Sequence, residues 1–278
     1  MPVLKTLSFL WLTILILFST AQDSAKFNLH EEVIAYQGDS TTMIGFVVFD
    51  RTVHKKRPIV LVVPEWWGLT DYTKTRARQL AKLGYLAMAV DIYGQGKQAN
   101  NPDSAAKYAM IYYMDPAKAK RRLDAAVSLL KNYPQADSLN TAAIGYCFGG
   151  SLLLNAARLG ENLKAVVSFH GSPIGSFHGN TAAGSPLRKE LLHAKILVCH
   201  GAADKYVPQK DIDLFRHQMD SVGISYTIKI YDSASHAFTN PASTELGIKF
   251  NMPIAYNKKA DLASWEEMKS FLTDIFKK

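Results

Sequence analysis

The chain has 278 residues, 48% of them hydrophobic and 20% charged, with a formal net charge of +8. These proportions are ordinary for a soluble globular protein. An excess of positive charge favours anionic surfaces in general, but Lys55-Lys56-Arg57 and Lys120-Arg121-Arg122 are separate clusters with no aromatic interleaving, which excludes a nucleic-acid-binding stripe and leaves solvated loop and helix faces.

In chain order, Lys5 supplies a positive start, Leu7 to Phe18 is an apolar run, and Ser19-Thr20-Ala21 offers the small residues of a cleavage site. Residues 1–21 therefore read as a signal peptide, too short and badly flanked for a stable membrane span. No cysteine follows the apolar run, so a lipid anchor is excluded. The remaining residues, 22–278, suit a single large α/β domain. The protein is expected outside the cytoplasm, periplasmic or extracellular, as a monomer.

His30 to Tyr36 and Met43 to Phe49 read as an antiparallel hairpin turning at Gln37-Gly38-Asp39-Ser40. Pro58 to Val63 is a continuous apolar strand of the kind buried on both faces, and it exits into Pro64-Glu65-Trp66-Trp67-Gly68. Thr70 to Leu83 has helical spacing ending at Gly84, Tyr85 to Val90 is the next strand, and Pro102 to Tyr113 and Pro116 to Tyr133 are helical excursions. Alternating strands and helices without an internal repeat or linker imply one mostly parallel, doubly wound sheet with helices on both faces.

The chemistry begins at Gly145-Tyr146-Cys147-Phe148-Gly149-Gly150, entered from the apolar run Thr141 to Ile144 and left through the helical pattern Ser151 to Ala157. A strand, a glycine-flanked residue and an immediate helix form a nucleophile elbow, here with cysteine in the serine's place. Downstream, the apolar strand Ala194 to Cys199 leads to Asp204, and the strand Tyr226 to Tyr231 leads to His236. Nucleophile, acid and base thus follow in the α/β-hydrolase order, each past the C-terminal end of a strand, where such sheets place their sites.

With G-Y-C-F-G-G, G-A-A-D-K-Y-V-P, the S-H-A-F loop and P-E-W-W-G-L at 64–69, the chain resembles the dienelactone hydrolases of the α/β-hydrolase superfamily over roughly residues 30 to 278. The resemblance implies a cysteine hydrolase of esters or lactones with Cys147, His236 and Asp204 as its triad and a thioester intermediate. It also implies that Glu65 contacts the thiol and takes its proton when substrate binds. The backbone N–H groups of Trp66 and Phe148 are the expected oxyanion donors.

Family members that open dienelactone carry an arginine four residues after the histidine; here that position is Asn240, which argues against a small dicarboxylate substrate. Trp67, Tyr93, Tyr206, Phe238 and Asn240 are the candidate substrate contacts in an aromatic or apolar pocket. Segments 171–188 and 250–256 are candidate loops beside it, the first as part of a lid. Cys199, inside an apolar strand, reads as a small buried hydrophobe, so both cysteines are expected as free thiols. His170 and His200 fall at strand ends and read as structural, and His54, His178, His193 and His217 as surface residues. No histidine pair has zinc-ligand spacing, and no metal or organic cofactor is expected. A thioesterase or peptidase of the same fold, or a non-catalytic binding protein built on it, remain the alternatives.

Overall fold

The computed structural model describes residues 27–175 and 187–277. The leader read at 1–21, and residues 176–186 of the segment read as part of a lid, lie outside the described residues.

The hairpin forms from β1 (Leu29–Gly38) and β2 (Thr41–Asp50), paired from Leu29↔Asp50 to Gly38↔Thr41. Its loop is only Asp39 and Ser40, both at positive φ (51° and 59°). Two central residues in the left-handed region make a two-residue loop whose twist matches the flanking strands. β3 (Arg57–Val63), β4 (Leu86–Ala89), β5 (Ala136–Tyr146), β6 (Ala165–Phe169), β7 (Lys195–Gly201) and β8 (Tyr226–Tyr231) complete a sheet of order β1-β2-β4-β3-β5-β6-β7-β8. β2 is antiparallel to both its neighbours, and every pair from β4 to β8 is parallel.

Alternation along the strands decides which helices they meet. Ile59, Leu61 and Val63 of β3 pack on one face with residues of α2 (Pro102–Met114), α3 (Pro116–Lys131), α4 (Phe148–Arg158) and α5 (Gln209–Ser221). Val60 and Val62 pack on the other face with α1 (Asp71–Lys82) and α7 (Lys258–Phe276). The unbroken apolar run of β3 therefore serves two cores at once, each buried aliphatic side chain contributing about 1.5–3 kcal/mol. α2 and α3 both start on proline behind a side-chain cap: Asn101 accepts from the Ser104 N–H and Asp115 from the Lys118 N–H.

Three elements depart from the sequence reading. β5 begins at Ala136, well before the apolar run, because Ala136 and Asp137 pair with Arg57 and Pro58; pairing then jumps to Ile59↔Thr141, so residues 138–140 bulge out and Leu139 is exposed. A short helix, α6 (Ser243–Phe250), precedes the segment 250–256. The last helix, α7, starts where the Asn257 side chain accepts from the Ala260 N–H and buries Met268 and Leu272 against the second face of the sheet. The C-terminal ends of β3, β5, β7 and β8 lie at one edge, and Glu65, Cys147, Asp204 and His236 each follow one of them.

Candidate active site

Cys147 sits at φ 51° and ψ −118° between β5 and α4. A non-glycine residue there is strained by about 1–3 kcal/mol, and the surroundings must enforce it. They do so by contact: a Cβ on Gly149 would lie 2.5 Å from the carbonyl oxygens of Val63 and Pro64, and one on Gly145 would lie 2.5 Å from the carbonyl of Gly149. Only glycine lets strand and helix approach this closely.

The turn presents the Cys147 Sγ 3.0 Å from His236 Nε2, and His236 Nδ1 lies 2.8 Å from Asp204 Oδ2. The other oxygen of Asp204 accepts from the N–H groups of Tyr206 (2.8 Å) and Val207 (3.0 Å). Burial alone would raise the Asp204 carboxyl, but His236 and these two N–H groups hold it below its ordinary value. Burial likewise opposes an imidazolium at His236, yet the charges of Asp204 and of the Cys147 sulfur outweigh it and hold that group well above its ordinary value. The arrangement can hold a proton between sulfur and imidazole with the carboxylate fixing the ring.

Glu65 is 3% exposed on the wall of the same site. Among the described residues no hydrogen bond joins Glu65 to the thiol: Glu65 Oε2 instead accepts from the Asn240 side-chain nitrogen at 2.7 Å. The orientation of that amide is fixed, because its oxygen accepts from the Ala242 N–H at 3.0 Å. A neutral partner offsets burial poorly. Desolvation pushes the Glu65 carboxyl up to about 7, against the pull of Asn240, His236 and the Arg76 guanidinium.

A cleft of about 660 Å3, including its open mouth, runs over the sulfur. Its walls include Trp66, Trp67, Phe148, Tyr206, Met252 and Ile254. Of the candidate contacts, Trp67 and Tyr206 line it; Tyr93, Phe238 and Asn240 do not. Tyr93 is buried beneath the site, donating its hydroxyl to the Trp66 carbonyl at 2.8 Å and packing on Phe148. Phe238 is fully buried between His170 and Tyr231, and Asn240 is occupied by Glu65. Tyr113 of α2, with Ser151 and Ser172, lines the cleft without having been singled out by any motif; only helical spacing from Ala109, also on the wall, could have pointed to Tyr113. Segment 250–256 does reach the site through Met252 and Ile254.

Among the described residues, the backbone N–H groups of Trp66 and Phe148 donate to no protein acceptor. Cys147 and Cys199 are both free thiols, Cys199 buried in β7. His54, His193 and His217 are exposed and His178 lies outside the described residues. His170 and His200 are buried; His170 touches the Cys147 turn, accepting at Nδ1 from the Cys147 N–H at 3.1 Å. No group of three or more His, Cys, Asp or Glu among the described residues is arranged to hold a metal ion.

The Glu65 environment makes stability depend on pH. Between its ordinary value of 4.5 and about 7, the carboxyl ionises in the unfolded chain but stays protonated when buried. The unfolded state then binds fewer protons, so stability falls as pH rises through that window and levels off above it. Glu65→Gln removes this loss, and denaturant titrations should show the variant gaining on the parent from pH 4.5 to 7, by on the order of 3 kcal/mol at the upper end. A stability difference that does not change with pH would contradict the assignment.

The fold and much of the sequence are shared with known proteins. Residues 44–276 match the model of the dienelactone hydrolase family. A solved dienelactone hydrolase-like promiscuous phosphotriesterase from metagenomic libraries superposes with a TM-score of 0.80 at 32% identity, covering 89% of this chain and 98% of that one. A Methylorubrum extorquens protein provisionally named carboxymethylenebutenolidase is 28% identical over 183 residues, 65% of this chain and 63% of the relative's length. A Bradyrhizobium protein provisionally named a lactonase of 2-oxo-3-(5-oxofuran-2-ylidene)propanoate is 28% identical over 182 residues, 65% of this chain and 73% of the relative. With its sheet order, its glycine-flanked Cys147 turn and a family match across most of its length, the chain belongs to the dienelactone hydrolase family.

Proposed function

We propose that the chain is an exported hydrolase of neutral carboxylic esters or lactones that works through Cys147, His236 and Asp204 and a thioester intermediate. Hydrolysis of ester or lactone bonds comes with the family. The observation that carries the route is the sulfur 3.0 Å from His236 Nε2, with Asp204 2.8 Å behind the ring, at the floor of an open cleft.

In this route His236 Nε2 takes the thiol proton and Sγ bonds to the acyl carbon, whose carbonyl electrons move onto oxygen. The Trp66 and Phe148 N–H groups, without protein acceptors, are suited to receive that oxyanion. One such donor contributes about 3–4 kcal/mol to the transition state. As the carbonyl re-forms, the carbon–oxygen bond to the leaving alkoxide breaks and the alkoxide takes the proton from Nε2. Water then attacks the thioester, giving its proton to His236; the carbon–sulfur bond breaks, the acid departs and the thiol is restored. Asp204 holds the Nδ1–H tautomer throughout. Glu65, near neutrality between its two charge states, is a fit second acceptor for the thiol proton once its carboxylate leaves Asn240.

The cleft supports the choice of substrate. Among the described residues its walls carry no lysine or arginine, and Trp66, Trp67, Phe148, Met252 and Ile254 are apolar. A substrate carboxylate buried there would lose hydration without gaining a lysine or arginine partner. Neutral acyl groups fit this lining better, with the ester carbonyl over the sulfur.

Cys147→Ala and His236→Ala should each lower turnover of a neutral p-nitrophenyl ester by about a thousandfold. Cys199→Ala should stay within about threefold, because Cys199 is fully buried away from the cleft and acts by packing. Comparable losses at Cys199 with stability intact would mean that the wrong thiol has been chosen. Export rests on Lys5, the apolar run Leu7 to Phe18 and Ser19-Thr20-Ala21. Mass spectrometry of the native protein should find Gln22 at the N-terminus, and an intact Met1 or Lys5 would refute cleavage.

A further inference from the structure

We propose that His170 is a positioning residue for the Cys147–His236 pair: its imidazole ties the backbone amide at the nucleophile turn to the loop that carries His236. The inference rests on the reading of Cys147 and His236 as nucleophile and base. It assigns a function to a buried histidine that lies outside the triad and does not line the cleft.

His170 is the first residue past β6, between the ends of β5 and β7, and it is completely buried. Its own backbone is in the left-handed region (φ 44°), with its N–H donating to the Cys199 carbonyl at 2.8 Å. A histidine so held is costly in backbone strain, which packing alone would not require. The ring nitrogens reach in two directions. Nδ1 is 3.1 Å from the Cys147 amide nitrogen, and Nε2 is 2.7 Å from Thr239 Oγ1. An amide N–H can only donate, so Nδ1 is bare and Nε2 carries the hydrogen, donating it to Thr239.

Thr239 is a firm anchor. Its carbonyl accepts from Arg76 Nη2 at 2.7 Å, its hydroxyl oxygen lies 2.6 Å from the Tyr72 hydroxyl, and Arg76 is paired in turn with Asp261 of α7. Three residues before Thr239 in the same loop stands His236, whose ring packs edge-on against His170 with centroids 5.4 Å apart. The His170 ring thus joins a point braced by α1 and α7 to the amide of the nucleophile itself. The groups around the ring keep it neutral: burial disfavours the imidazolium, and His236, Arg76 and His200 oppose it further, holding it well below its ordinary range. A protonated ring would lose the Nδ1 acceptor and set its new Nδ1–H against the Cys147 N–H, while Nε2–H still points to Thr239.

The Cys147 N–H is also shared with the Phe169 carbonyl at 2.9 Å, so it keeps one acceptor when His170 is replaced. His170→Phe, which retains a ring and no nitrogen, and Thr239→Val, which retains shape and no hydroxyl, are therefore the informative variants. Three readouts apply to the full chain: ester kcat and KM, the pH midpoint of iodoacetamide alkylation of Cys147, and Tm. Each variant should lower kcat by about tenfold to a hundredfold with KM within about threefold, since misplacing a reacting group by an ångström has that scale of effect. Each should also move the alkylation midpoint upward, as the sulfur loses its aligned imidazole. The double variant should be no worse than His170→Phe alone, because both remove one connection. His170→Asn, whose side-chain oxygen can stand in for Nδ1, should recover part of the loss. Unchanged kcat and midpoint in folded His170→Phe, or losses that add in the double variant and track Tm alone, would overturn the proposal. His236→Ala is the control for the underlying reading. If it leaves the alkylation midpoint unmoved, the Cys147–His236 assignment fails; if it raises the midpoint while His170→Phe does not, only the role of His170 fails.

Discussion

The close approach of α4 to the end of β3 constrains the rest of the site. Gly149 carries no Cβ, so the helix can rest on the carbonyl oxygens of Val63 and Pro64, and Cys147 is forced into the left-handed region at the helix start. The same approach brings the helix to the segment that bears Glu65 and Trp66. A single steric condition therefore sets the sulfur, the wall carboxylate and both proposed oxyanion donors relative to one another. The strain at Cys147 is maintained by bonds on either side of it: its N–H goes to the Phe169 carbonyl and to His170, and its carbonyl accepts from the Ser151 N–H at 3.2 Å.

Around that turn, three buried carboxyls are shifted in different directions and degrees by what they touch. Asp204 has two backbone N–H donors and an imidazole, and is held ionised. Asp261, facing the Arg76 guanidinium, is raised by burial despite that cation. Glu65 has a neutral amide and sits near 7. Separation of carboxyl groups by environment is how one fold assigns acid and base roles. Here it leaves an orienting anion behind the histidine and a carboxyl of adjustable charge on the cleft wall. The asparagine at 240 is central to this: a cation in its place would pull Glu65 down toward the ordinary carboxylate range.

Much of this was legible in the sequence because the informative residues announce themselves locally. Continuous apolar runs such as Pro58 to Val63 read directly as strands buried on both faces, and Gly145 and Gly149 mark the turn by being the only residue type that fits. Asp204 and His236 follow strand ends in the expected order, and the structure brings both to Cys147. What was not legible depends on contacts between distant segments. Nothing near Asn240 in sequence says that it meets Glu65 of the loop after β3. Aromatic character alone does not separate Trp67 and Tyr206, which line the cleft, from Tyr93 and Phe238, which lie beneath it. The strand β5 outran its apolar core because its first residues pair with Arg57 and Pro58 through backbone bonds that carry no hydrophobic signature. A strand-end position makes His170 read as structural, and its two bonds appear only when β6, α4 and the His236 loop are seen together.

The central claim is that the acyl group passes through the Cys147 sulfur, and trapping that species tests it most directly. The protein would be mixed with an excess of a neutral p-nitrophenyl ester, quenched in acid during turnover, digested and analysed by mass spectrometry. The account predicts an acyl mass on the peptide that contains Cys147, absent from Cys147→Ala and released by neutral hydroxylamine as a thioester is. Acylation of a serine or of Cys199 instead, or sustained turnover by Cys147→Ala, would contradict it.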